Sequence, residues 1–422
     1  MDSEQSEAEF VNVAANVLNG ADTAFVLLCA ALVMLMTPGL ALFYGGMVRA
    51  KNVLATLMQS FFIVALVSVL WAVIGYSLAF GPDLGGVVGS LAWAGLAGVG
   101  AEPVAYAPTI PHTVFMVYQM MFAVITPALI TGAFAERMKF RGFLIFTVLW
   151  SLLVYAPVAH WVWGNGGWLR ALGTLDFAGG IVVHINSAAA ALAAALVIGK
   201  RRELGSEGLI PHNLPMTVLG TGLLWFGWFG FNAGSALSAG PLAASAFVAT
   251  HLAGAAAGLS WVAVEWIHRG KPTTLGAVSG CVAGLATITP ASGFVGPMPA
   301  LLIGLLAGGI CYGGVLLKWR FGYDDSLDVV GVHGVGGILG TLATGIFAST
   351  AINAAGANGL LFGNPAQLGI QAFAALTTLA YSFAVSYGLL RLVDATVGLR
   401  VDQEEEDIGL DLAQHGETGY AI

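Results

Sequence analysis

Two histidines carry the most chemistry in this sequence. His184 closes the stretch Asp176-Phe-Ala-Gly-Gly-Ile-Val-Val-His184, and apolar residues run on past it to Ile198. His333 closes a second stretch, Asp328-Val-Val-Gly-Val-His333, which opens another glycine-rich apolar segment. An ionisable group inside a membrane-length apolar segment is costly, and such groups mark functional sites. For one histidine the ordinary alternative is a packed, hydrogen-bonded core residue. Two at matching places weaken that alternative. A neutral imidazole has one donor and one acceptor nitrogen, so two in contact can share a proton and relay it. The other chemistry open to such a pair is bis-histidine ligation of a haem between helices. The remaining histidines, His112, His160, His212, His251, His268 and His415, are terminal, in loops or singly placed.

Other side chains have types suited to a cation. Asp176 precedes Phe177-Ala-Gly-Gly180, the place of a helix N-cap that accepts from orphan N–H groups, and its negative field also favours a nearby cation. Trp163 lies in Ala159-His-Trp-Val-Trp-Gly164, Phe122 in Gln119-Met-Met-Phe-Ala123, and Phe231 and Ser235 in Trp228-Phe-Gly-Phe-Asn-Ala-Gly-Ser235. Aromatic faces attract cations, tryptophan best, and a serine Oγ accepts from an N–H donor. Taken alone, Trp163 reads equally as an interfacial belt anchor.

Composition says what kind of element positions these groups. Of 422 residues, 58% are hydrophobic and only 9% charged, against about 25% charged in soluble domains. Apolar runs recur, each long enough to cross a hydrocarbon core about 30 Å thick. The expected fold class is all-α and polytopic. Eleven transmembrane helices are expected at 22–48, 52–80, 112–135, 142–162, 177–199, 214–237, 243–267, 273–290, 298–318, 328–348 and 367–393. The 58 glycines include Gly230/Gly234, Gly254/Gly258, Gly280/Gly284, Gly304/Gly308 and Gly336/Gly340 at small-xxx-small spacing, which lets helix backbones approach closely in lipid. Cys29, Cys281 and Cys311 stand singly and without metal spacing, so they read as small buried hydrophobes. No metal, cofactor or enzymatic activity is expected. The net charge of −8 gathers in the tails and argues against nucleic acid.

An odd number of spans puts the termini on opposite sides. Fourteen of the 15 Lys+Arg fall in one set of connections and the tail, at Arg49, Lys51, Arg137, Lys139, Arg141, Lys200, Arg201, Arg202, Arg269, Lys271, Lys318, Arg320, Arg391 and Arg400; only Arg170 falls on the other side. The positive-inside rule makes that set cytoplasmic, with an N-terminal tail 1–21 outside and the C-terminus inside. No basic residue precedes the first apolar run, so residues 1–21 are not read as a signal peptide. The longest outer connection is 81–111, and the run Glu404-Glu-Glu-Asp407 reads as a solvated acidic stretch.

The histidine helices hold the fifth place in each of two five-helix sets, about 22–199 and 214–348. An odd number of spans per set inverts the second against the first. A final helix completes a transmembrane domain 22–393, and a tail 394–422 follows. Inverted repeats place substrate sites near the midplane between halves. His184 lies about 12 Å along its helix from Asp176, and His333 about 7–8 Å from Asp328, entering from opposite faces. The two rings can therefore meet inside the core. Between Phe122/Phe231 and the cytoplasm no carboxylate is evidently placed to escort a cation.

Thr37-Pro-Gly-Leu-Ala-Leu-Phe-Tyr-Gly-Gly46, Ala135-Glu-Arg137, Asp176 to His184, Pro211-His-Asn-Leu-Pro215, Gly227 to Ser235 and Asp328-Val-Val-Gly-Val-His-Gly334 together resemble ammonium transporters of the Amt/Mep type, within the Amt/Mep/Rh superfamily. The resemblance spans nearly the whole chain. It implies an eleven-helix protomer in a homotrimer, each with its own narrow path, in a bacterial or archaeal inner membrane and serving nitrogen uptake. It implies that Trp163, Ser235 and the face of Phe122 bind ammonium outside, and that Phe122 and Phe231 stack as a gate. His184 and His333 would line a hydrophobic path, and Asp176 would be a structural or cation-favouring carboxylate. The tail motifs Gly398-Leu-Arg-Val401, Gly409-Leu-Asp-Leu412 and His415-Gly-Glu417 are similar to a regulatory terminus that docks a PII-type signal protein. Trp163 and Ser235 separate the chain from Rhesus-type channels, which lack that pair. Tyr118 departs from relatives carrying a second Phe there; its hydroxyl bears on the outer vestibule and is given no gate role.

The implied mechanism is recruitment as ammonium, deprotonation near the gate and passage of ammonia, with a separate relay for the proton. Dehydrating a monovalent cation into a low-dielectric pore costs, in the idealised Born limit, on the order of 20 kcal/mol, and ammonium avoids it by shedding a proton. Two other classes stay open at this stage: an ammonium sensor with little flux, and a bis-histidine haem protein.

Overall fold

The computed structural model describes residues 18–202, 204 and 209–420; residues 1–17 of the expected outer tail lie outside that range. Its frame is eleven apolar helices: α1 (Gly20–Met47), α2 (Ala50–Phe80), α3 (His112–Phe134), α4 (Phe140–Ala171), α5 (Gly180–Ile198), α6 (Leu214–Ala236), α7 (Pro241–Arg269), α8 (Thr274–Ile288), α9 (Pro297–Phe321), α10 (Val330–Phe347) and α11 (Pro365–Val397). Ten are long and apolar enough to cross a membrane, and α8 is shorter. The helix count agrees with the expectation, and the protein is an all-α multi-pass membrane protein. Several boundaries move. The expected 273–290 span ends at Ile288, just before Pro290, which has no N–H to continue the ladder. The fourth span runs past 162 to Ala171 but breaks at 164–167. The last helix reaches Val397, so it passes the expected 393/394 boundary without a break.

Local chemistry sets the helix ends. Asn19 caps α1 by accepting from the Ala21 and Asp22 N–H groups, and Asn213 caps α6 through Met216. Helices α7 and α9 stop at Gly270 and Gly322, both left-handed, a backbone glycine adopts without penalty. The 81–111 connection is not wholly irregular. It holds two small antiparallel hairpins, β1 (Asp83–Leu84) with β2 (Val88–Gly89), and β3 (Pro103–Val104) with β4 (Ala107–Pro111).

Small residues carry the helix packing. A side chain at Gly284 of α8 would run into Ala253 and Ala257 of α7, and one at Gly304 or Gly308 of α9 into the same α7 face. Three helices thus close on one another without a large side chain between them. At the centre, a Cβ on Gly337 of α10 would stand 3.0 Å from the Gly180 carbonyl oxygen and 3.1 Å from His184 Cβ. That close approach brings α5 and α10 together.

The end bearing the basic connections is held by a buried ion network. Glu136 binds Arg49 at 3.1 Å, and Asp324 binds Arg201 at 2.9 Å. Burial alone would raise both carboxyl groups; Arg49 and Arg201 around Glu136, and Arg201 and Arg137 around Asp324, hold them below their ordinary range. The tail packs on this end as α12 (Gln403–Ile408) and α13 (Leu410–His415). Asp411 accepts from the N–H groups of Leu54 and Ala55 in the first turns of α2, at 3.0 and 2.8 Å. The run 404–407 is therefore not simply solvated. Glu406 is buried against Arg400 at 2.8 Å and Asp407 pairs with Arg202, because basic side chains face α12. The opposite end carries the aromatic residues Trp93, Tyr106, Trp161 and Trp168.

Candidate functional site

At the aromatic end a cavity of about 550 Å³ opens among α3, α4, α6 and the segment before α5. Trp163, Phe122, Ser235 and Asp176, separated by as much as 113 residues of sequence, all line it. Trp163 Nε1 donates to the Asp176 backbone carbonyl at 2.9 Å, which sets the indole. The Trp163 and Phe122 rings meet edge to face, 5.7 Å apart at 89°. Ser235 Oγ donates to the Phe231 carbonyl at 2.9 Å.

Two buried rings stand between this cavity and the next, Phe122 lining the outer one and Phe231 the inner one. Phe122 and Phe231 lie 4.3 Å apart at 32°, a tilted contact rather than a flat stack. Beyond them a second, narrow cavity of about 10 Å³ is lined by His184 and His333, room for about one water molecule. Its other walls are Met36, Leu40, Ile125, Leu129, Val183, Leu224, Trp228, Phe231 and Val282.

The two imidazoles stack there, centroids 5.1 Å apart at 18°, with Nδ1 to Nδ1 at 3.2 Å. One Nδ1 donates and the other accepts, so a single proton lies between the rings. His184 Nε2 is buried with no partner. Both residues sit in π-helical turns, Gly180–Ile185 and Val330–Gly334, a feature frequent at functional sites. Trp228 stacks on His184 at 5.7 Å and is anchored by Nε1 donating to Thr289 Oγ1 at 2.9 Å. Its sequence position one helical turn before Phe231 is the signal that places it on the same helix face.

Asp176 sits at the head of α5 and takes four backbone amides. Oδ1 accepts from Gly179 and Gly180 at 2.8 and 2.7 Å, and Oδ2 from Ile181 and Val182 at 2.8 and 3.1 Å. Gly179, at φ 114°, supplies the left-handed bend that aims these amides at one carboxylate.

The second half reads differently from expectation. The sequence pairs Asp328 with His333 as the counterpart of Asp176, but the Asp328 backbone is left-handed and its carboxylate pairs with Lys318. The residue that caps α10 is Asp325, accepting from Val330 N–H at 2.7 Å. Asp325 precedes His333 by eight residues, as Asp176 precedes His184, and that equal spacing was the signal in the sequence. Asp328 instead lines a small cavity beyond His333, with Tyr44 and Met47. A carboxylate is thus close to the path below the pair, although Lys318 engages it.

The haem alternative does not fit. The stacked rings leave no gap for a porphyrin, and the surrounding cavity has the volume of about one water. Among the described residues no group of three or more His, Cys, Asp or Glu could hold a metal ion.

Comparison with known proteins supplies the remaining finding. A family model described as Ammonium Transporter Family matches residues 24–420. An ammonium transporter of Bacillus subtilis (strain 168) is 54% identical over 400 residues, covering 94% of this chain and 98% of the relative. The crystal structure of Saccharomyces cerevisiae Mep2 superposes with a TM-score of 0.88 at 38% identity, covering 96% of this chain and 92% of that one. A solved structure described as a sensor Amt protein reaches 0.87 at 30% identity, covering 96% and 99%.

Proposed function

The chain belongs to the ammonium transporter family, and from that premise we propose how its own residues select and move the substrate. Ammonium transport is the function, and its relatives are named as transporters, which accords with a non-enzymatic role. Ammonium enters the aromatic-end cavity and is held by the faces of Trp163 and Phe122 and by the Ser235 oxygen. Asp176 contributes a fixed negative field while serving as the α5 cap. Phe122 and Phe231 form the gate. Ammonium gives up its proton near them, and ammonia passes the histidines as a neutral molecule. The proton travels separately: one imidazole takes it on Nε2, the shared Nδ1 proton shifts across, and the other releases it from its own Nε2.

The observation that carries this reading is the histidine pair itself, two Nδ1 atoms 3.2 Å apart in an apolar cavity with room for about one water. Such a cavity cannot rehydrate an ion. Potassium has no removable proton and meets the full desolvation cost.

By the charge asymmetry, the aromatic end faces outside and the basic end the cytoplasm, in a plasma membrane. A transporter domain from residue 22 to the end of α11 at Val397, a regulatory tail from Gly398 in place of the expected 394, assembly as a homotrimer and docking of a PII-type protein at the basic end belong to the same proposal. The test is ion flux in liposomes holding the purified protein, with current and pH followed after ammonium and potassium jumps. Ammonium should drive a response and potassium none. His184→Ala or His333→Ala should abolish proton-coupled transport or open a hydrated, potassium-passing pore. Equal responses to the two ions in the unaltered protein refute the deprotonation step. Full activity in the double histidine variant refutes the relay. A protein that binds ammonium without flux would be a sensor.

A further inference from the structure

Tyr118 stands one helical turn before Phe122 on α3, and its side chain is fully buried behind Ser235 instead of facing the cavity. Its hydroxyl reaches across to α6, 3.0 Å from the Gly230 carbonyl, 2.9 Å from the Phe231 carbonyl and 3.2 Å from Ser235 Oγ. A side chain on Gly234 would occupy the same space, its Cβ 2.7 Å from the hydroxyl.

Counting protons shows what this cluster does. The two carbonyls can only accept, and each hydroxyl has one proton. The Ser235 proton goes to the Phe231 carbonyl or to the Tyr118 oxygen; both lie away from the cavity. The Tyr118 proton goes to a carbonyl or to Ser235. With its proton on the Phe231 carbonyl, Ser235 Oγ keeps a lone pair for the cavity it lines whichever acceptor the Tyr118 proton takes. The Tyr118 ring also lies 5.1 Å from Phe122 at 67°, so one residue touches a gate ring on its own helix and the other gate residue's carbonyl on α6.

We propose that Tyr118 is a positioning residue for the ammonium site: by tying α3 to the Gly230–Ser235 turn of α6 it fixes where the Ser235 oxygen, whose own proton goes to the Phe231 carbonyl, stands toward the incoming cation. This rests on the recruitment role given above to Ser235 and Trp163. Phenylalanine at 118 would keep the ring contact and lose the tether. The two carbonyls keep other partners, since Gly234 N–H donates to Gly230 and Ser235 Oγ to Phe231. The hydroxyl can therefore be removed without orphaning them.

The experiment is a double-variant cycle with Tyr118→Phe, Ser235→Ala and both together in liposomes. Half-saturation and maximal rate for ammonium are read along with the melting temperature in detergent. Tyr118→Phe should raise half-saturation about 2- to 10-fold, the weight of one hydrogen bond, with little change in maximal rate. The same change in the Ser235→Ala background should have no further effect. A full-sized effect in that background overturns the proposal, because Tyr118 then acts through packing. So does unchanged half-saturation in Tyr118→Phe when Ser235→Ala weakens binding, whatever happens to the melting temperature. If neither Ser235→Ala nor Trp163→Leu alters half-saturation, the recruitment site itself is misassigned and this inference falls with it.

Discussion

Replacing Asp176 with Asn separates a structural carboxylate from a ligand. The carboxylate spreads four amide bonds over two oxygens, two on each, at 2.7–3.1 Å. Asparagine keeps one acceptor oxygen and turns an NH2 group toward the other two amides, donor against donor. A hydrogen bond to a charged group contributes about 1.5–3 kcal/mol, so losing two costs about 3–6 kcal/mol before any relaxation. That is a large part of an ordinary folding free energy of about 5–15 kcal/mol. The Trp163 indole hangs on the Asp176 carbonyl, so unravelling this turn also disorders the cavity wall. Asp176→Asn should therefore lower the melting temperature in detergent steeply and reduce the yield of folded protein. Whatever folds should take up ammonium with half-saturation raised only modestly, by loss of the fixed negative field at the cavity wall. Unchanged melting would refute the capping argument. A large rise in half-saturation at unchanged melting would show that the carboxylate acts on the cation directly.

Three further outcomes are expected. Trp163→Leu removes the best cation-binding face, which is worth about 0.5–2 kcal/mol, and should raise half-saturation for ammonium about 2- to 30-fold in a flux assay; no change would leave Trp163 a belt anchor. Asp325 is pushed up to about 6, first by burial and then by the Asp328 charge, against the pull of Lys318. Its folded value thus exceeds its unfolded one, so the stability it contributes is complete below pH about 4 and lost as pH rises through about 6. Melting followed from pH 4 to 7 should carry that downward component and lose it in Asp325→Asn; Glu136 and Asp324, held low, contribute the opposite slope only below about pH 4. Truncation from Arg400 onward removes Asp411 from the Leu54 and Ala55 amides, and should alter transport rate or abolish binding of a PII-type protein; a truncated protein that matches the full chain in both would show the tail to be passive.

Residue types and their periodicity determined a good deal of this protein. Apolar runs of membrane length fix eleven helices, because a backbone in lipid must satisfy its own hydrogen bonds. The glycine spacings pointed to close helix contacts, and Gly284, Gly304 and Gly308 make them. Both histidines could be singled out because an ionisable group in such a run is rare enough to stand alone. Sequence position could not say which carboxylate belongs with His333. Asp325 and Asp328 both precede it, and only the path of the backbone turned the first onto the α10 amides and the second onto Lys318. Nor could it assign Tyr118, whose partners Gly230, Phe231 and Ser235 lie more than a hundred residues away. Trp228, the tilt of Phe122 against Phe231 and the 3.2 Å between the imidazoles were likewise settled by packing. Helices are written locally, in intervals of three and four residues, whereas the contacts among them depend on how all the helix surfaces fit at once.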